Sequence, residues 1–174
     1  MSTGKCFNCR YSSGRSKART RFVGGIVRTT SGDSMEITGN TRTHWEGPLS
    51  EGVGRMSFGS GAASPDLRYP LSPIPPQRQT SPEELIAAAQ GACFTMMLSH
   101  VLTEAGHPPS SVTTECDATL SVGTGFTLIN IRVQAAVPGI TDEELRRAAA
   151  TAEQRCPVSK ALSAIPSNVE TVLV

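Results

Sequence analysis

The segment from Ser81 to Gly106 constrains this 174-residue chain more than any other. It opens Ser81-Pro82-Glu83-Glu84, with serine at the N-cap, proline at the first helical position and glutamate three residues after the cap. Leu85, Ala88 or Ala89, Ala92, Met96, Ser99 and Leu102 then recur at helical spacing, and Ile86, Cys93 and Met97 form a second uncharged flank. A helix wetted on one side does not need two apolar flanks, so this one is expected to be central, covered by sheet or by a partner. Gly106 supplies the C-cap and Pro108-Pro109 prevents continuation. Gln90, Gly91, Ser99 and His100 interrupt the apolar run, which therefore reads as a buried helix and not as a membrane span.

Short strands are expected before the helix, over residues 41–45, 53–58 and 66–71, with turns at Gly47-Pro48 and over residues 59–65. Residues 72–79 hold three prolines, which fix φ and remove backbone donors, and cannot form regular structure. After the helix, Val112, Thr114, Cys116, Ala118, Leu120 and Val122 share one face of a strand. Ile129, Ile131, Val133, Ala135 and Val137 share a face of the next, with Gly123-Thr124-Gly125 as the hairpin turn. Thr141-Asp142-Glu143-Glu144 is a second capping box, starting a helix to about Arg155. Cys156-Pro157 interrupts it, residues 158–164 can add a turn or two, and residues 169–174 can close a sheet. The class is α+β.

Charge is uneven. Lys5, Arg10, Arg15, Lys17, Arg19, Arg21 and Arg28 precede the first acid, Asp33, and the remainder carries a formal net of −6. That excludes a basic body able to wrap nucleic acid, and the basic segment itself lacks aromatic interleaving. Residues 1–38 are expected to form a disordered tail, and residues 39–174 a single domain. A targeting segment, or an extension before a second start at Met35, is the lesser reading. The first 30 residues hold no apolar run of the kind a secretory signal needs. Five cysteines, Cys6, Cys9, Cys93, Cys116 and Cys156, are an odd and scattered set. They suit a reducing compartment, the cytoplasm, better than a disulfide framework. Cys6-x-x-Cys9 has zinc-like spacing without a second pair, and His44, His100 and His107 are isolated, so no metal site is expected.

Cys93 sits ten residues into an apolar helix, where a core cysteine is the ordinary reading. Three features argue for more. Glu83 lies about three turns earlier, where a carboxylate can hold a long basic side chain. Cys156 sits at a helix break, where the chain can shift without dismantling a helix. Phe94, Met96 and Met97 make a wall suited to a substrate with a hydrocarbon body. Peroxide reduction needs a thiolate to attack the O–O bond, a second thiol to resolve the sulfenic acid, and a cation to lower the first thiol's pKa. On that chemistry Cys93 attacks, Cys156 resolves and Glu83 holds an arginine. Cys116, on the apolar face of its strand, reads as inert core. Trp45 reads as a packed strand residue, Glu84 as a cap partner, and Arg146 and Arg147 as a solvated helix face.

At these residues a resemblance emerges. The run from Thr80 to Phe94 is similar to the signature of the osmotically inducible protein C and organic hydroperoxide resistance family. Trp45-Glu46-Gly47, Ala105-Gly106-His107, Val137-Pro138-Gly139 and Cys156-Pro157-Val158-Ser159 fit its osmotically inducible branch, and the likeness covers residues 41–174. The resemblance implies an intertwined homodimer, with antiparallel sheets wrapped around central cysteine-bearing helices and active sites at the subunit interface. It implies reduction of organic hydroperoxides, and more weakly of hydrogen peroxide, without metal, haem or flavin. Cys93 would be peroxidatic, Cys156 would close an intrachain disulfide, and a dithiol such as a lipoylated protein would reduce it. Glu83 would orient a catalytic arginine.

That arginine is where the sequence departs from the family. Counting back from Pro82 reaches Ser72, in the proline-rich stretch. Arg68 and Arg78 flank the position and Arg55 lies on an earlier strand; Arg78 is favoured slightly over Arg68. The alternatives are a noncatalytic relative binding small apolar ligands, which survives loss of either thiol, and a redox sensor. A nucleic-acid role would depend on residues 5–28 and show steep salt sensitivity.

Overall fold

A computed structural model describes residues 19–23, 26–31, 34–71 and 78–174. They fall into two compact units, one of residues up to Leu67 with Arg78, the other of residues 68–71 with 79–174.

In the first unit, Arg19–Val23 (β1), Ile26–Ser31 (β2) and Ser34–Thr38 (β3) form an antiparallel sheet in that order. These strands fall within residues 1–38, whose composition predicts a disordered tail; residues 1–18, including Cys6 and Cys9, lie outside the described residues. The strand signal was present beneath the basic charge. Phe22-Val23 and Ile26-Val27 flank two glycines, and Val23 and Ile26 are register partners, as in a hairpin. Thr41–Glu46 (β4), Val53–Phe58 (β5) and Asp66–Leu67 (β6) pair antiparallel. The last stops short of the expected Leu71, three positions before Pro70 introduces a residue with no N–H. Trp45 packs over Gly54, where an added Cβ would come within 2.5 Å of the indole ring, and its Nε1 donates to the Gly47 carbonyl at 3.1 Å. Trp45 is thus a packing residue, with buried Met56 and Leu67 on the same sheet.

In the second unit, the Arg68 N–H bonds to the Thr80 carbonyl of Gln79–Thr80 (β7). Ser111–Ser121 (β8), Gly125–Ala136 (β9) and Ser167–Leu173 (β10) form a sheet ordered β10-β9-β8. The central β9 alternates as its sequence requires: Ile129, Ile131, Val133 and Ala135 are buried. β8 runs antiparallel to it, with Cys116 opposite Ile131. β10 runs parallel, with Val169 opposite Ile131. The expectation of antiparallel sheets is therefore corrected: this sheet is mixed. Two helices between β9 and β10 carry the chain back to the starting end of the sheet, the connection a parallel pair needs.

The helix Pro82–Glu104 (α1) begins where the cap motif requires, with Ser81 Oγ accepting from the Glu84 N–H at 3.3 Å. Gln90, Phe94, Leu98 and Leu102 form its buried stripe, joined in one core with β9 and with Leu145, Ala149 and Ala152. Gly91 lets α1 close on β8, since an added Cβ would lie 3.2 Å from the Cβ of Cys116. By length and composition α1 could also cross a bilayer, contrary to the sequence expectation, because hydropathy tolerates scattered small polar residues; here its inner stripe fills the core. A second stripe, Ala88, Ala92 and Met96, stays exposed, Met96 at 68%.

The helix Asp142–Arg155 (α2) starts from the reciprocal capping box of Thr141 and Glu144. Its buried residues Leu145, Ala149 and Ala152 carry the helical period on to Cys156, which is 0% exposed. Pro157–Ala161 (α3) follows, with Cys156 as its N-cap.

Candidate active site

The thiol geometry follows from these two helices. The buried stripe of α1 points Phe94 into the core, and Cys93, one residue earlier, lies half-buried on its flank. The stripe of α2 delivers Cys156 to the same place, where Pro157 denies the helix a donor and lets a new axis begin. The sulfurs of Cys93 and Cys156 lie 3.0 Å apart, both free thiols. A disulfide needs about 2.05 Å, so bond formation asks for about 1 Å of further approach.

The electrostatics are asymmetric. Burial raises the Cys93 pKa, and its hydrogen bond with Cys156 raises it further; the Val158 N–H opposes both. Burial also disfavours the Cys156 thiolate, but contact with the Cys93 thiol, the Ser159 N–H and hydroxyl and the Val158 N–H outweighs it and brings its pKa below the ordinary thiol range. The two thiols share one hydrogen bond, and the donors at the start of α3 favour the thiolate form of Cys156 over that of Cys93. Gln90, 2% exposed, donates from Nε2 to Ser159 Oγ at 2.8 Å. The sequence showed Gln90 only as an interruption of an apolar run and Ser159 only as part of a motif. A polar residue on the inner stripe of a buried helix was the signal that could have found the first.

The other end of the site is less complete. Glu83 stands in the first turn of α1, and its Oε2 is buried with no hydrogen-bond partner among the described residues. It lines a cavity of about 600 Å³ with Tyr69, Pro70, Leu71, Leu120 and Val122. Arg68 is half-buried and Arg78 exposed, and neither is hydrogen-bonded to that oxygen. Arg78 has a φ of 50°, the only described non-glycine residue with positive φ. Arg55 is bonded to Asp66 at 3.1 Å. Glu84 caps α1 through its N–H and accepts the Thr80 hydroxyl at 2.7 Å.

The remaining residues weighed from sequence have surroundings of their own. Cys116 faces α1, and burial, followed by Asp117, raises its pKa. His44 pairs with Glu46 and His100 with Glu104, and Arg146 and Arg147 pair with Glu143 on an exposed face. Among the described residues no cluster of His, Cys, Asp and Glu could hold a metal ion.

Residues 75–171 match the OsmC-like protein family. The chain is 38% identical over 133 residues to Peroxiredoxin OsmC of Escherichia coli (strain K12), covering 75% of this chain and 93% of that one. Among solved structures, an organic hydroperoxide resistance protein from Elizabethkingia anophelis aligns with a TM-score of 0.53 at 26% identity, over 77% of this chain and 93% of that one. OhrB of Bacillus subtilis, a likeness of fold at 24% identity, aligns with a TM-score of 0.58 over 78% and 98%. With two free thiols in contact on the elements that the family's sequence match spans, this chain belongs to the OsmC-like protein family.

Proposed function

We infer that the pair reduces organic hydroperoxides to alcohols, and hydrogen peroxide more weakly. The protein is a cysteine-based peroxidase, and the observation that carries the reading is the 3.0 Å approach of Cys93 and Cys156 within one chain. The Cys93 thiolate attacks one peroxide oxygen, the O–O bond breaks, and the leaving alkoxide takes a proton to become the alcohol. Cys93 is left as a sulfenic acid. Cys156 then attacks the Cys93 sulfur, the S–O bond breaks, and the departing hydroxide takes a proton to become water. A dithiol, such as a lipoyl group on a protein, returns the disulfide to two thiols and is itself oxidised.

The activating cation is an arginine held by Glu83. The unpartnered carboxylate oxygen supports this, because a buried charge without a partner costs stability and is kept where a partner arrives. Arg78 is favoured over Arg68. Its left-handed backbone, a strain of roughly 1 kcal/mol or more, supports a held position. The working unit is a homodimer. The exposed stripe of Ala88, Ala92 and Met96 on an otherwise core-forming helix supports it, since small residues let a second helix approach closely. An odd and scattered set of five cysteines supports a cytoplasmic setting. Binding to nucleic acid and membrane attachment form no part of this reading.

The test is consumption of cumene hydroperoxide by the reduced protein with excess dihydrolipoamide. Turnover by the native chain that Cys93→Ser abolishes is the expected result. No turnover by a folded, fully reduced chain under this reductant would overturn the peroxidase reading.

A further inference from the structure

Gln90 is an expensive residue for its position. It lies on the inner stripe of α1 in series with Phe94, Leu98 and Leu102, and it is as buried as they are. A leucine or methionine there would pack without an amide to satisfy. Only half of that amide is used: Nε2 donates to Ser159 Oγ at 2.8 Å, while Oε1 has no partner among the described residues. Both residues line a cavity of about 270 Å³ along α2 and α3. Core packing therefore does not account for Gln90, and its single bond points at the residue three positions after Cys156.

The direction of that bond matters. A serine hydroxyl carries one proton and two lone pairs. With Gln90 donating into a lone pair, the Ser159 proton is left to turn toward the sulfur beside it, and Ser159 does contact Cys156 through hydroxyl and amide. We propose that Gln90 is a positioning residue for the resolving step, orienting the Ser159 hydroxyl so that it hydrogen-bonds the Cys156 thiolate that then attacks Cys93. The proposal rests on the peroxidase reading. In that step the Cys156 thiolate forms the S–S bond, the S–O bond of the Cys93 sulfenic acid breaks, and hydroxide leaves and is protonated to water. A thiolate kept by hydrogen bonds in a buried site is available without waiting for solvent to remove a proton. The relay acts on Cys156 and so bears on disulfide closure more than on peroxide cleavage.

Glutamate at position 90 is the informative change. It keeps the shape of glutamine and, once ionised, can only accept, so it would draw the Ser159 proton away from the sulfur. The experiment mixes the full reduced chain with one equivalent of cumene hydroperoxide. Dimedone is added at intervals, and mass spectrometry follows the Cys93 sulfenic adduct and the intrachain disulfide. In Gln90→Glu and Ser159→Ala, disulfide closure is expected to slow about tenfold, the scale of one hydrogen bond to a charged group, with the adduct accumulating. Ser159→Thr, which keeps the hydroxyl, restores closure, and the pH at which closure is half-maximal rises in the two defective variants. Closure at the native rate in both variants overturns the proposal. So does equal slowing of sulfenic acid formation and closure at every pH, which is what loosened packing would give. Should Gln90→Glu fail to fold, Ser159→Ala and Ser159→Thr decide alone. A native chain yielding neither adduct nor disulfide would instead overturn the peroxidase reading on which the proposal rests.

Discussion

Glu83 and Cys93 stand ten residues apart on one helix and meet very different surroundings. Around Cys93 the chain supplies its own partners, Cys156 at 3.0 Å and the Val158 N–H, and Cys156 in turn meets Ser159, held by Gln90. Around Glu83 it supplies an apolar cavity and a buried carboxylate oxygen with no partner among the described residues. The difference separates two tasks. Closing a disulfide needs two sulfurs and donors, and both helices are packed to provide them. Activating the attacking thiol needs a cation, and what the structure gives Cys93, burial and a neighbouring thiol, works the other way. A peroxidase assembled so has its two sulfurs in contact within one chain and, among the described residues, no cation bonded to Glu83 Oε2.

The sharpest test of that division is to remove each sulfur in turn. Cys93→Ser is expected to lower turnover about a thousandfold or more, the scale of losing a nucleophile. Cys156→Ser is expected to consume about one equivalent of peroxide, form the Cys93 sulfenic acid and stop, with sulfinic acid following under excess peroxide. Mass spectrometry of the trapped products reads both. Intrachain disulfide in Cys156→Ser, from Cys93 to another cysteine, would break the comparison by showing that resolution is not built into α3.

Glu83→Gln tests the second of these tasks. Loss of the carboxylate is expected to lower kcat/KM about a hundredfold, as for a preorganised electrostatic contact. The unfolding midpoint should change little, because Glu83 is half-exposed and its Oε2 makes no hydrogen bond among the described residues that the change would break. That split, activity down and stability not, sets a functional carboxylate apart from one that merely complements the helix dipole. Native activity in Glu83→Gln would mean Cys93 is activated from elsewhere.

The arginine can be sought through the pH dependence of Cys93. Burial and Cys156 raise its pKa, so without a cation its alkylation by iodoacetamide should rise with pH through a midpoint above the ordinary thiol value of about 8.5. In Arg78→Ala that high midpoint is expected, and in the native chain a lower one. Equal midpoints would clear Arg78 and turn the search to Arg68.

Much of this was legible from residues. Ser81-Pro82 and the Thr141–Glu144 box placed the starts of two helices, and the alternation of Ile129, Ile131, Val133 and Ala135 placed the central strand. These are local signals, carried by neighbours in sequence. The parallel return of β10 was not legible, because the alternation that puts Val169, Thr171 and Leu173 on one face carries no strand direction. Strands in the basic segment were missed because charge outweighed the apolar pairs flanking Gly24-Gly25. The contact of Cys93 with Cys156 came from family likeness and chemistry, but the Gln90–Ser159 link spans 69 positions and no local pattern announces it. The partner of Glu83 lies beyond reach for a related reason: three prolines in residues 72–79 erase the periodicity that would have aligned an arginine.

The smallest effect separates the starts of the two helices. At the Glu83 end the cap is single: Ser81 accepts from Glu84, and the Glu84 carboxylate is spent on Thr80. On the helix leading to Cys156 the box is reciprocal, with the Thr141 N–H and hydroxyl both on Glu144 Oε2. Thr141→Ala is therefore expected to cost about 1 kcal/mol of stability, and Ser81→Ala less. Acid should expose the same asymmetry. The Thr141 N–H, then its hydroxyl, hold the Glu144 carboxyl below its ordinary value. A group depressed by folding stabilises the protein above the unfolded carboxylate pKa of about 4.3, and that contribution is lost as pH falls through the folded value. The thermal midpoint should then fall below about pH 4, and Glu144→Gln should flatten the fall. If Ser81→Ala were as costly as Thr141→Ala and Glu144→Gln left the acid profile unchanged, the second helix would be no better anchored than the first, and the readiness of Cys156 would rest on α3 alone.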